Sequence, residues 1–179
     1  MTLSKDSIKV LTGSLNTLHT SISAMAPKRP FFVIVPGASQ NPTHYGYLAH
    51  LLQLAGYPTF SALLPSVGQG KVTVEDDANY VRDNMVLPVL DIEKHDVVIV
   101  THSYSSIPGS AAIQGLSKTE RMAAGKTTGV LGQIHIVTIL TKGGDGESVM
   151  GTFSGEYPPH IRPDVSRWCC YSVSSDALN

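Results

Sequence analysis

The sequence predicts an α/β fold for this 179-residue chain, a three-layer sandwich with a mostly parallel sheet. Two observations predict it. Short apolar runs without polar alternation are typical of parallel strands that are buried on both faces. These runs alternate with helical patterns, which implies parallel pairing through right-handed crossovers. The length and the 42% hydrophobic content suit one domain with one core.

The first predicted unit is a strand, a glycine turn and a helix. The strand is the β-prone run Phe31-Phe32-Val33-Ile34-Val35, which ends at Pro36-Gly37. A helix is predicted over residues 43–55, where leucines recur at helical spacing. Thr43 is its predicted N-cap, and Gly56 is predicted to end it.

Two further strands and a long helix follow. The second strand is predicted over residues 57–63 and leads into a loop that contains Pro and Gly. A helix is predicted over residues 73–90, with three carboxylates at its positive N-terminal end and Pro88 in its last turn. The third strand is predicted over residues 96–101, where four β-branched residues are consecutive.

The core is predicted to end with one more helix and strand. The chain turns through Ser103 into a helical start over residues 107–114, which contains Pro and Gly. The fourth strand is predicted over residues 133–140. These elements define a predicted core at residues 30–140.

Both ends of the chain depart from this pattern. Residues 1–29 are predicted to be a flexible leader, because they are rich in Ser and Thr and have only weak amphipathic spacing. The alternatives for this segment are a mitochondrial presequence and an authentic start at Met25. Residues 141–179 contain many Gly and Pro, so an irregular or partly folded tail without a further strand of comparable quality is predicted there.

Composition argues against several classes of function. The 13 Lys and Arg nearly balance the 14 Asp and Glu, so neither nucleic acid nor a membrane surface is expected as a partner. Cys169 and Cys170 are adjacent and cannot form a disulfide framework or a spaced zinc site, which favours a cytoplasmic setting, with mitochondria as the alternative. No cofactor is expected, because the first strand lacks G-x-G-x-x-G and Gly125-Lys126-Thr127 follows no strand.

A serine lies on the sharp turn that follows the third predicted strand. The turn is Thr101-His102-Ser103-Tyr104-Ser105, and a helix is predicted after it. Its string x-H-S-x-S departs from G-x-S-x-G, so the pentapeptide alone favours a helix N-cap. The strand before it and the helix after it favour a nucleophile instead, above the sheet edge where ligands bind in open α/β folds.

Four segments resemble the α/β-hydrolase superfamily. They are FFVIVPGAS, HYGYLAHLLQLAGYPTFSALLPSVG, TVEDDANYVRDNMVLPVLD and DVVIVTHSYSSIPGSAA, which lie between Pro30 and Leu140. The resemblance is to the esterase-like branch that includes plant methylesterases, hydroxynitrile lyases and fungal single-domain hydrolases. The fungal members look most similar, through P-G-A, L-P-S-x-G, E-D-D and H-S-Y. The resemblance implies a partial α/β-hydrolase fold and a place in fungal secondary metabolism.

The resemblance also implies an activity and roles for residues. It implies a serine hydrolase that cleaves a carboxylic ester, thioester or lactone of a small molecule. Ser103 matches the nucleophile, and the backbone N–H groups of Ala38 and Tyr104 match the oxyanion hole. His102 matches the elbow histidine rather than the base. From the residues alone, Pro36-Gly37 could also simply turn the chain into its helix.

By the same resemblance, the triad's acid and base would lie beyond Leu140. The only histidine there is His160, the candidate base, in a Pro-rich segment that resembles the start of the family's lid region. His135 falls within the fourth predicted strand and is interpreted as a core or sheet-face residue. The later aspartates are interpreted as solvated loop residues: Asp145, Asp164 and Asp176.

Two interpretations of the missing base stay open. Either the chain is a C-terminally truncated and inactive hydrolase fold that acts as a binding or accessory protein, or His160 is recruited in an unusual geometry. A core that ends after four strands would also expose an apolar sheet edge. Such an edge predicts self-association unless the tail or a partner covers it.

Overall fold

A computed structural model describes residues 28–138 in full and residues 161–164 and 169–172 by their backbone. Four strands form one parallel sheet in the order β2-β1-β3-β4. They are β1 (Phe31–Val35), β2 (Thr59–Ser61), β3 (Val97–His102) and β4 (Val130–Ile136). The predicted α/β class with a parallel sheet is therefore confirmed.

Helices connect consecutive strands of this sheet. Their bounds are α1 (Gly46–Leu54), α2 (Val74–Tyr80), α3 (Leu87–Asp91), α4 (Ser106–Ala112) and α5 (Lys118–Ala123). A 3-10 turn, Pro42–Tyr45, precedes α1, and a π-helical segment, Val81–Val86, joins α2 to α3. The crossover from β1 to β2 runs opposite to the later two, so right-handed connections place α1 on one face and the other helices on the opposite face.

The core lies on the face that α2, the π-helical segment and α4 cover. Paired residues of parallel strands share a face, and β1 and β3 align Val33 with Ile99. Both are fully buried together with Val81 and Met85 of the π-helical segment. The opposite face is covered less completely, because α1 has no fully buried residue and leaves Leu54 71% exposed.

Several boundaries differ from the sequence prediction. Thr43 is not the N-cap of α1, because Tyr45 occupies that position. Asn41 caps the preceding 3-10 turn, where its Oδ1 accepts the Thr43 N–H at 3.0 Å. The second strand is shorter than residues 57–63, because only three residues pair with β1. The long helix begins as expected, with Thr73 as its cap. Its regular bonding breaks before Pro88, which has no N–H to donate to the preceding turn.

The prediction missed one helix and the start of the last strand. Helix α5 begins with a capping box, in which Ser117 Oγ accepts the Glu120 N–H at 3.2 Å and Glu120 accepts the Ser117 N–H. Gly129 allows close packing there, because a Cβ would lie 2.4 Å from the Lys118 Cα. Strand β4 follows from Val130, three residues before its expected start.

The C-terminal segment contains structure that the sequence did not predict. Strands β5 (Ile161–Asp164) and β6 (Cys169–Ser172) pair antiparallel. No strand comparable with the first four was expected here, and the two short strands are compatible with Pro163, because Pro is tolerated where both strands of a pair are edge strands. The predicted leader and the rest of the tail lie outside the described residues.

Strand β4 forms one edge of the four-stranded sheet. At and after this edge, Leu131 is 51% exposed, Ile134 46% and Val137 84%. The exposed apolar edge that the sequence predicted is present among the residues described, and self-association through it stays a prediction. No helix in the described part of the chain is long and apolar enough to span a bilayer.

Candidate active site

Ser103 has a backbone conformation that side chains rarely adopt. Its φ is +52°, and it lies directly after β3 at the start of a 3-10 turn, Ser103–Ser105, that leads into α4. An N-cap residue has an extended backbone, and here His102 takes that position with φ −121°. The geometry therefore favours a strained strand-to-helix elbow over an N-cap at Ser103.

The residues two before and two after Ser103 fit despite not being glycine. Thr101 and Ser105 are both fully buried. Space for Thr101 comes from α4, where a Cβ at Gly109 would lie 2.6 Å from the Thr101 Cγ2. Ser105 Oγ donates to the Val35 carbonyl at 2.8 Å and accepts the His102 N–H at 2.9 Å. The departure from G-x-S-x-G is thus accommodated by neighbouring residues.

The loop after β1 is tied to the elbow through His102. The Gly37 N–H lies 3.2 Å from Gln40 Oε1 and 3.1 Å from Tyr45 Oη. The Nδ1 of His102 lies 2.8 Å from that Gln40 oxygen and 2.9 Å from Tyr45 Oη. A Cβ at Gly37 would lie 2.8 Å from the same nitrogen, so only glycine fits beside it without rearrangement. We call these four residues the His102 cluster.

Burial favours the neutral forms of the two titratable side chains of the His102 cluster. It lowers the pKa of His102 below its usual 6.5 and raises the pKa of Tyr45 above 10.0. The Nδ1 atom of His102 is engaged by Gln40 and Tyr45 rather than by Ser103. The Nδ1 contacts therefore tie His102 to the loop after β1.

A buried carboxylate holds the residue that follows Ser103. Asp77 is fully buried, and its Oδ2 accepts the Tyr104 hydroxyl at 2.9 Å. The Asp77 Oδ1 accepts the Ser66 N–H at 3.0 Å, and Oδ2 also accepts the Ser66 hydroxyl at 2.6 Å. Burial, and then the charge of Asp77, raises the pKa of Tyr104 far above its usual value. We call these three residues the Asp77 network.

Of the histidines and aspartates considered for the triad, only His135 has a described side chain. His135 is an exposed sheet-face residue of β4, and its Nδ1 lies 3.0 Å from Thr101 Oγ1. Neither His102 nor His135 hydrogen-bonds the Ser103 hydroxyl. His160, Asp145 and Asp176 lie outside the described residues, and Asp164 is described only by its backbone in β5.

Sequence reasoning missed the residues that support the elbow. The three carboxylates near residue 76 were interpreted through the helix dipole alone, yet Asp77 is four residues before the buried Val81. An acid on the apolar stripe of a helix was therefore the available signal. Gln40 and Tyr45 carried no comparable signal, because their partner His102 is distant in sequence.

A groove elsewhere on the surface does not include the elbow. It has a volume of about 440 Å³, runs between α2 and α4, and is lined by residues that include Glu75 and Arg82. Arg82 donates to the carbonyls of Ala112 and Gln114, both at 2.9 Å, so its guanidinium supports the end of α4. Within residues 28–138 no group of three His, Cys, Asp or Glu side chains could hold a metal ion.

Comparison with known proteins bears on the fold of this chain. A curated relative, the alpha/beta hydrolase nvfD of Aspergillus novofumigatus, is 32% identical over 94 residues. The similarity supports the α/β-hydrolase superfamily. The match covers 51% of this chain, and the chain spans 37% of that relative's length. No family model and no solved structure matches. The parallel sheet and its flanking helices are consistent with a partial α/β-hydrolase fold.

Proposed function

We propose that this chain is a serine hydrolase that cleaves a carboxylic ester, thioester or lactone of a small, largely apolar metabolite. The observation that carries the proposal is the positive φ of Ser103 at a strand-to-helix turn. In a strand-to-helix elbow a serine with this conformation projects its hydroxyl above the sheet edge, beside a helix N-terminus, and this supports a nucleophilic role for Ser103. The resemblance to fungal single-domain hydrolases supports a substrate from secondary metabolism.

In the proposed reaction Ser103 Oγ attacks the carbonyl carbon of the substrate. Its proton passes to a base, for which His160 is the candidate, and the alcohol or thiol then leaves with that proton. Water releases the acyl group from Ser103 in a second attack. The N–H groups of Ala38 and Tyr104 would stabilise the oxyanion in both steps. The first N–H groups of a helix have no intrahelical acceptor, which suits Tyr104 to this role.

Labelling of the full chain with a fluorophosphonate probe tests the proposal. We expect an adduct on Ser103 and none in Ser103→Ala. Ser110→Ala is a matched control, because Ser110 is an exposed serine of α4 that contacts Gln133. A folded protein that forms no adduct on Ser103 would refute the proposed activity.

A second candidate function is an inactive hydrolase fold that acts as a binding or accessory protein. The hydrogen bonds of two histidines within residues 28–138 favour this function, because His102 and His135 bond other groups and not the Ser103 hydroxyl. Ester turnover by the full chain that disappears in Ser103→Ala would exclude it. Loss of the same turnover in His160→Gln, but not in His135→Gln, would support His160 as the base.

A further inference from the structure

We propose that Asp77 is a positioning residue that fixes the Tyr104 N–H group for the oxyanion, an inference that rests on the proposed function. Tyr104 has its backbone at the elbow and its hydroxyl on a carboxylate of α2. The residue is therefore anchored at both ends. Its N–H belongs to the backbone at the elbow, and the side chain that leaves the same residue ends on Asp77.

The three motifs L-P-S-x-G, E-D-D and H-S-Y, which are separate in sequence, meet in the Asp77 network. They contribute Ser66, Asp77 and Tyr104 respectively. The Asp77 carboxylate accepts from the Tyr104 hydroxyl and, through two hydrogen bonds, from Ser66. A shift of the elbow would have to stretch the bond between Tyr104 and Asp77.

The helix that carries this carboxylate is held in place by its cap and by the core. Asp77 belongs to the capped helix α2, and the adjoining Ala78 and Val81 are buried in the core. One of its donors is a backbone group, the Ser66 N–H, which cannot rotate away. The carboxylate therefore links the elbow to the core at a fixed position.

A buried charge of this kind is a costly way to obtain stability alone. Asp77 is fully buried and forms no salt bridge within residues 28–138. Its charge is stabilised by hydrogen bonds, and well-packed apolar residues in such a place are often as stable. A hydrogen-bonded carboxylate does supply a directional contact to one hydroxyl, and this is what positioning requires.

The test is ester turnover by the full chain with p-nitrophenyl acetate. Asp77→Asn keeps the size of the side chain but removes its charge and one acceptor oxygen. We expect kcat to fall by about tenfold to a hundredfold, as for other small misplacements near reacting groups. The KM should stay within about twofold, because the interaction acts in the transition state. Asp83→Asn, an exposed carboxylate of the π-helical segment, should change neither constant.

Tyr104→Phe provides the second variant, because it removes only the hydroxyl and keeps the N–H. If both residues act through one contact, the double variant should be no slower than the slower single variant. An Asp77→Asn protein that is folded at the assay temperature and keeps the kcat of the wild type would overturn the inference, even if its melting temperature had fallen. The role of Asp77 would then be structural only.

Failure of the proposed function gives a different result from failure of this inference. The first is recognised when the folded wild type shows neither turnover nor an adduct on Ser103. In that case the amide resonance of Tyr104, measured in the isotope-labelled full chain, still tests whether Asp77 positions Tyr104. We expect Asp77→Asn to shift that resonance and Asp83→Asn to leave it in place. A resonance that is the same in both variants overturns the inference.

Discussion

The two sides of Ser103 are held by different chemistry. Before it, His102 contacts Gln40 and Tyr45, whose side-chain oxygens also accept the Gly37 N–H. After it, Tyr104 is held by the buried carboxylate of Asp77. Hydrogen bonds to a charged acceptor are about twice as strong as neutral ones. Loss of the acceptor on the Asp77 side should therefore cost more stability.

The two sides also differ in how they respond to acid. The His102 cluster contains a group that titrates near neutral pH in the unfolded chain, whereas the Asp77 network adds a phenol whose pKa is raised by burial and by Asp77. We therefore expect mutations in the Asp77 network to cost more stability than mutations in the His102 cluster. Mild acid should destabilise the His102 cluster before the Asp77 network. Three measurements can break or sharpen this comparison.

Asp77→Ala should have the largest effect on stability. It leaves the N–H and hydroxyl of Ser66 and the hydroxyl of Tyr104 without their acceptor in a buried region. We expect the free energy of unfolding to fall by about 2–4 kcal/mol, as for other losses of a buried polar acceptor. Urea denaturation measures it. Asp83→Ala removes an exposed carboxylate nearby, and an equal loss in that variant would contradict the special place of Asp77.

Gly37→Ala should have an intermediate effect on the other side. The new Cβ would lie 2.8 Å from His102 Nδ1 and 2.9 Å from Gln40 Oε1, so both side chains must move. We expect a cost of about 1–3 kcal/mol, typical of overpacking, together with slower labelling of Ser103. Gly46→Ala is the matched control, because a Cβ there meets nothing within 4 Å and alanine favours the helix. Equal stability of the two variants would show that the His102 cluster tolerates an added carbon.

Mild acid should produce the smallest effect, confined to the His102 side. The unfolded chain binds a proton at His102 near the ordinary pKa of 6.5, whereas burial delays this protonation in the folded chain. The resulting stability is present above pH 6.5 and is lost as the pH falls below it, towards the lowered pKa. Melting temperatures between pH 7.5 and 5 should therefore fall more in the wild type than in His102→Gln. Parallel curves would place the acid sensitivity at other groups.

The sequence predicted the order of the elements better than their detail. The runs at residues 31–35 and 97–100 consist of β-branched and aromatic residues, so their strands were predicted to within one residue. Helix α5 was missed although Ser117 and Glu120 form a capping box, because its six residues are too few for an apolar stripe to show. The π-helical segment depends on how Pro88 packs, which periodicity does not reveal.

The candidate site was predictable only where its signal is local. Ser103 follows a recognisable strand, so its position on the turn after that strand could be predicted from neighbouring residues. The contact between Tyr104 and Asp77 joins residues 27 positions apart. The contact between His102 and Gln40 joins residues 62 positions apart. Tertiary folding brings such residues together, and a single sequence does not show which residue contacts which.

The contact between Thr101 and Gly109 has a consequence for pattern searches in genomes. The elbow needs a certain free volume, and in this chain the glycine that supplies it sits on the next helix, eight residues after the threonine. A search that scores only the five letters around the serine rejects this chain. A longer pattern, T-x-S-x-S followed by three residues and a glycine, keeps it. At this elbow the requirement for small residues therefore applies to the combined size of the residues at positions 101 and 109.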